Sequence, residues 1–292
     1  MSIPESILKV KLPVQKLKIH PRAMQNFAAA LNARNPLYYD DSLPEGIFNH
    51  PCFPIVTTWP LFELFMPLLQ EAGLSSQVMG SLVHFSEHLE LHRPMQPKKR
   101  LIFSSKIRGI TKNPAGSEMH LHVQANTLKG DPVFDEYASV LFRKANLSFP
   151  ERPLDIKPKS PLWNDVPDIT GKISLEFSPL LPFIYDGCTD IVFPIHTSKK
   201  FAQQVGLPNI IVQGSASFSK CIGSLMDHYS VTDPREVKNL GANFGAYVIP
   251  GEKWILEWKK VKKISSNTQC TFRLVNEKGK EAIRNGWITF TT

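Results

Sequence analysis

The strongest constraint on this chain is that one pattern is written in it twice. A helix-patterned apolar segment followed by several strand-patterned segments occurs on each side of a proline-rich stretch, Ser148 to Pro167. In the first copy, residues 22–31 carry apolar side chains at helical spacing and Asn35 to Asp40 reads as a turn. Residues 57–72 read as a buried helix, with Pro60 in its first turn and Pro67 kinking it. Strands are expected near 82–92, 101–110, 119–127 and 133–142. In the second copy, a turn from Asp186 to His196 takes the place of the Asn35 turn. A short helix near 198–205, an apolar helix near 214–229 and strands near 237–248, 254–261, 268–275 and 282–291 complete it. The five prolines of 148–167 remove backbone donors and fix φ, so this stretch is expected to run extended over the surface. The expected division is therefore 1–147, a linker over 148–167, and 168–292.

At 292 residues the chain suits one large domain or two smaller ones. A chain of that length buries roughly three quarters of its unfolded surface. Its 42% hydrophobic and 21% charged content is that of an ordinary globular protein. No apolar run of about 18 residues occurs, so no membrane span is expected. The first residues lack the basic start and apolar stretch of a secretion signal, and Cys52, Cys188, Cys221 and Cys270 show no paired spacing. The expectation is a cytoplasmic protein. A net charge of +8 favours anionic partners, although no nucleic-acid motif accompanies it and a solvated basic surface explains it equally well. The glycines form no phosphate loop and there is no Gly-x-Ser-x-Gly elbow, which argues against nucleotide-cofactor enzymes and serine hydrolases.

Several charged groups read as structural. His84, His88 and His92 recur every four residues, but the segment is expected to be a strand, so they are read as a half-polar face and not as metal ligands. His120 and His122 are read the same way. The runs Lys98, Lys99, Arg100 and Lys259, Lys260, Lys262, Lys263 are read as solvated strand edges that discourage pairing.

The stretch from Tyr185 to Gly214 carries chemistry. It reads Tyr185-x-x-x-Thr189-Asp190-x-x-x-Pro194-Ile195-His196, then Phe201-Ala202-x-x-x-Gly206, then Gln213-Gly214. This resembles the core of the MaoC-like (hydratase 2) acyl dehydratases, whose signature runs Asp-x-Asn-Pro-x-His, Ala-x-x-x-Gly, His-Gly. The resemblance extends to Asn35-Pro36-Leu37-Tyr38, to His88 through Pro97 and to Phe244 through Gly251. It implies an α+β double hot-dog: two antiparallel sheets, each wrapped around a long apolar helix, making a pseudo-dimer within one chain and compatible with a homodimer of chains. It also implies reversible hydration of a 2-enoyl thioester to the (R)-3-hydroxyacyl form, on coenzyme A or an acyl-carrier protein, with no metal or redox cofactor.

Carried over position by position, the resemblance puts the family's base on His196. In the first half the same positions hold Ala33 and Tyr38, so the chemistry is expected in the second half only. Read without gaps, the family's Asp and Asn fall on Ile191 and Phe193. Asp190, one residue early, is the expected acid if the turn bulges, with Asp186 the second choice. Gly214 opens a helix whose free N–H groups suit a thioester oxyanion. Gln213, Tyr185, Phe193, Trp59 and Phe62 are the candidate substrate contacts. Two other readings remain open: an acyl-thioester binding module that has lost catalysis, argued from the displaced Asp, and a hot-dog thioesterase.

Overall fold

The computed structural model describes residues 1–154, 160–264 and 267–291, without side chains at 262–264. Both copies form a five-stranded antiparallel unit. The first holds β1 (Gln15–Lys18), β2 (Leu82–Leu91), β3 (Arg100–Asn113), β4 (Gly116–Thr127) and β5 (Pro132–Arg143). The second holds β6 (Gly171–Glu176), β7 (Val237–Phe244), β8 (Lys253–Ile264), β9 (Asn267–Val275) and β10 (Glu281–Thr291). The order outward from the middle is β2-β5-β4-β3-β1 on one side and β7-β10-β9-β8-β6 on the other. Second strand, fifth, fourth, third, first: the two halves share one topology. They join through antiparallel pairing of β2 with β7, from Ser86 opposite Asn243 to Glu90 opposite Asn239, giving one ten-stranded sheet.

The helices also correspond. α1 (Pro21–Ala30) packs on α4 (Leu181–Thr189), with the rings of Phe27 and Tyr185 5.9 Å apart. α2 (Pro54–Glu71) and α6 (Gly214–His228) are the long apolar helices, and short α3 (Ser76–Met79) and α5 (Lys199–Gln204) connect. One core cluster draws on both halves, with Phe27, Phe53, Leu89, Phe218, Ile222 and Trp254 all buried. Fully burying a side chain of this size contributes about 1.5–3 kcal/mol, so the shared core binds the halves together. A second cluster, including Phe65, Leu69, Met119 and Phe142, lies within the first half.

The strand expectations agree with the structure to within a few residues, and four differences have physical causes. α2 begins at Pro54, so Pro60 lies in its second turn and not its first. Edge strands β1 and β6 are short and half-polar, which hid them from pattern reading. Tyr185 and Asp186 belong to helix α4 and not to a turn. Lys259 is not a solvated edge: it is buried, its Nζ donates to the carbonyls of Trp163 (3.0 Å) and Val166 (2.6 Å), and it sits over the Trp163 indole. That contact docks the proline-rich stretch, where residues 163–165 form a 3-10 turn and the Trp163 N–H donates to Asn285 Oδ1 at 3.0 Å. Residues 155–159 of the stretch and the Lys262 and Lys263 side chains lie outside what is described. Among the described residues, no helix is long and apolar enough to cross a membrane.

Strand β2 carries an irregularity between His84 and Ser86, where Phe85 is the extra residue. The bulge turns His84 onto the helix-facing side with Glu87 and Leu89, while His88 and Glu90 face outward. The three histidines spaced by four therefore do not share a face.

Candidate active site

The turn at residues 193–198 is built by its own sequence. Pro194 supplies a fixed φ, the His196 N–H donates to the Phe193 carbonyl (3.0 Å), and the Ser198 N–H donates to the Pro194 carbonyl (2.8 Å). Ser198 then caps α5, its Oγ accepting from the Phe201 N–H at 3.2 Å. The turn is fastened to the segment leading into α6. The Ile211 N–H donates to the Ile195 carbonyl (3.2 Å), and His196 Nδ1–H donates to the Ile211 carbonyl (2.8 Å). Three residues after Ile211 comes Gly214, so the residue that anchors the imidazole and the helix N-terminus are within about 11 Å along the chain.

That hydrogen bond fixes the His196 tautomer, because a carbonyl accepts only from a protonated Nδ1. Nε2 is left as a lone pair. Burial lowers the His196 pKa to about 4, partly opposed by the bond to Ile211, so the ring is neutral near pH 7 and Nε2 is free to accept a proton. At α6 the N–H groups of Gly214, Ser215 and Ala216 have no intrahelical carbonyl. A Cβ on Gly214 would meet the Phe244 ring at 3.3 Å, so the glycine keeps the ring and the helix start in close approach. Gln213 is buried; its Nε2 donates to the Pro182 carbonyl at 3.0 Å, while its Oε1 has no partner. Tyr185 is buried beneath the same helix start and donates to Ser215 Oγ at 3.1 Å.

The carboxylates are placed differently from the sequence expectation. Asp190 ends α4 in the left-handed conformation (φ 55°), and its N–H donates to the Asp186 carbonyl at 3.0 Å. Its side chain is exposed and makes no hydrogen bond or ion pair with the described residues, so it is not directly hydrogen-bonded to His196. Asp186 is half-buried on α4, its carboxyl pushed up first by burial and then by neighbouring Asp190. Phe193 is exposed, its ring 6.4 Å from that of His196. Trp59 and Phe62 stand apart on α2, where Phe62 lines a hollow of only about 10 Å³ with Leu61, Phe65 and Val123. A larger cleft of about 150 Å³ lies between the halves, lined by Phe48, Asn49, His92, Arg93, Met95 and Arg235 among others, and excludes His196 and Gly214.

Pattern reading missed a polar cluster inside the core. Glu87 on β2 and Glu136 on β5 are fully buried diagonal neighbours on the helix-facing side. Burial pushes both carboxyls well above the ordinary range, and each Glu136 charge is further opposed by Glu87. Glu87 Oε2 lies 3.1 Å from His84 Nε2, and the His84 ring packs on Phe244 (4.6 Å), the residue that covers Gly214. Nearby His50 is buried with Nε2 unpartnered and faces α6 at Gly223. The polar surroundings in sequence hid these groups: Glu87 stands between Ser86 and His88, and Glu136 between Asp135 and Tyr137, so each reads as solvent-facing.

Comparison with known proteins gives the family. A MaoC like domain matches residues 184–282, and a FAS1-like dehydratase domain region matches residues 10–136. The second half thus carries a MaoC-like dehydratase domain and the first a FAS1-like dehydratase region. Solved structures share the fold of this chain at low identity. A MaoC-like dehydratase from Phytophthora capsici is 16% identical, with 99% of this chain and 98% of that one covered and a TM-score of 0.79. HtdX of Mycobacterium tuberculosis is 14% identical over 96% and 100%, with a TM-score of 0.66. The full-length peroxisomal multifunctional enzyme type 2 of Drosophila melanogaster is 17% identical, covering 95% of this chain but 48% of that one, with a TM-score of 0.68. A comparison with curated proteins returned no match. The MaoC-like assignment makes hydration or dehydration the general chemistry of the family, on a double hot-dog scaffold.

Proposed function

We propose that this chain reversibly hydrates a 2-enoyl thioester to its (R)-3-hydroxyacyl form, using His196 as base and the α6 N-terminus as oxyanion site. The observation that carries the reading is the His196 clamp: Nδ1–H held by the Ile211 carbonyl, Nε2 left free to accept a proton, and Gly214 three residues onward. In the hydration direction, Nε2 takes a proton from water as the oxygen bonds to C3. The C2=C3 electron pair moves onto the thioester oxygen, where the Gly214 N–H holds the enolate. The proton then returns to C2, the carbonyl reforms, and the imidazole is neutral again. Asp190 remains the proposed partner in that proton traffic, and from its exposed position it acts through intervening water. Gln213, with Oε1 unpartnered, is a proposed substrate contact. The net charge of +8 suits an anionic carrier, coenzyme A or an acyl-carrier protein.

The exposed Asp190 favours a second reading, an acyl-thioester binding module without turnover. Loss of the conjugated absorbance of crotonyl-CoA and a longer trans-2-enoyl-CoA separates the two. Wild type should consume at least one of them, and Asp190→Asn should slow it while leaving KM within a few-fold. Binding of both substrates with no consumption, also on a carrier-protein thioester, would establish the binding module.

A further inference from the structure

On the outer face of the sheet, strand register sets side chains in lateral rows. One row runs His122 on β4, Tyr137 on β5, His88 on β2, Gly241 on β7 and Trp287 on β10. The next runs Gln124, Asp135, Glu90, Asn239 and Thr289. The first row is aromatic: His122 stacks on Tyr137 at 4.4 Å, and His88 meets the Trp287 ring edge-on at 4.7 Å. The second places two carboxylates, Asp135 and Glu90, directly opposite each other on paired strands. Like charges in that position repel, so the arrangement calls for a cation or proton between them.

Imidazoles surround the two acids. Asp135 accepts from His122 Nε2 (2.6 Å), His92 Nε2 (2.8 Å) and Gln124 Nε2 (3.0 Å). Glu90 has no comparable donor, since His88 Nε2 stands 3.8 Å from its Oε1. His88 is itself nine-tenths buried, its side chain 9% exposed, and its Nε2 has no hydrogen-bond partner. An orphaned, buried ring nitrogen aimed at an unsatisfied carboxylate is rare in a folded protein. Donor atoms of Glu90, His92 and Asp135 lie within 4.8 Å of one another.

We propose that Glu90, His92 and Asp135, with the buried His88 ring beside Glu90, form a binding site for a divalent transition-metal ion of the zinc class. Asp135 and Glu90 face one another across the paired strands, an arrangement that a divalent cation between them relieves. Mixed imidazole and carboxylate donors suit zinc or cobalt, whereas magnesium and calcium prefer oxygen alone. On binding, the His92–Asp135 hydrogen bond gives way to one metal bond from each partner. His122 stays on the other Asp135 oxygen and orients the carboxylate, as outer partners of metal ligands do. His92 is exposed at the lip of the interdomain-facing cleft, which gives the ion its path to solvent and leaves room for a further ligand.

The test uses the full chain, stripped with a chelator and titrated with cobalt(II) while its visible absorption and binding heat are followed. Wild type should take up one ion per chain with the spectrum of nitrogen-and-oxygen-ligated cobalt. His92→Ala and Glu90→Gln should each weaken uptake at least tenfold. Both residues are half-exposed or exposed, and an unchanged circular dichroism spectrum confirms that the variants fold. Absence of saturable uptake by wild type, wild-type affinity in both variants, or equal affinity for magnesium would overturn the proposal. None of these readings depends on thioester turnover.

Discussion

At the residue scale, His196 and Tyr38 occupy corresponding turns in a duplicated fold, and their environments explain why one half is assigned the chemistry. Tyr38 is buried, and burial raises its phenol far out of reach of a proton transfer at neutral pH. His196 is half-exposed, neutral and tautomer-locked. The candidacy of His196 came from the resemblance of Pro194-Ile195-His196 to the family's motif, and the turn it sits on is set locally by Pro194. The position of its acid was not legible in the sequence, because it depends on where α4 ends, and a helix that runs to Thr189 leaves Asp190 on its outer rim. The buried Glu87–Glu136 pair yields a pH prediction. Folded-state pKa values raised above the unfolded carboxyl value mean that the folded chain binds more protons than the unfolded one above about pH 4. The pair's contribution to stability is therefore full at low pH and is lost as pH rises through the raised values. The histidines with lowered pKa act oppositely between about pH 4 and 6.5, so the comparison is made against a variant. Glu136→Gln should gain thermal stability relative to wild type with each step from pH 5 to pH 9. A constant offset between the two melting curves would show that the pair does not titrate in this range.

At the element scale, strands and long helices were legible because their periodicity is set by burial, residue by residue. Short edge strands and the α4 helix were not, since four to nine residues with mixed polarity fit several conformations. The junction of β2 and β7 leaves no room for a side chain at Gly241. A Cβ on Gly241 would lie 2.7 Å from the Glu87 carbonyl oxygen and run into the Trp287 ring. Gly241→Ala should cost about 1–3 kcal/mol, read as a shift in the urea midpoint with the slope unchanged. Gly214→Ala meets only one edge of Phe244, at 3.3 Å. It should melt within a few degrees of wild type yet slow turnover, if the helix start holds the thioester oxygen.

At the scale of the whole molecule, the two halves share strands, α1–α4 packing and one core cluster. The Asn35 side chain adds a bond across them, its Nδ2 donating to the Thr232 carbonyl at 2.5 Å. Calorimetry should give a single cooperative unfolding transition, since neither half keeps its central strand paired on both edges without the other. Two separated transitions would show that the halves stand alone. The duplication was visible in the sequence as a repeated order of elements, whereas the joining of both copies into one sheet depends on contacts between residues about 150 apart that no local pattern encodes.

The claim on which the functional reading rests is that His196 carries the proton transfer. The direct measurement is the initial rate of trans-2-enoyl-CoA hydration by wild type and by His196→Ala, with folding of the variant confirmed by circular dichroism. Turnover by wild type and a loss of about 10²–10⁴-fold in kcat in the variant is the expected result. Equal rates for the two proteins would contradict it and remove His196 from the reaction.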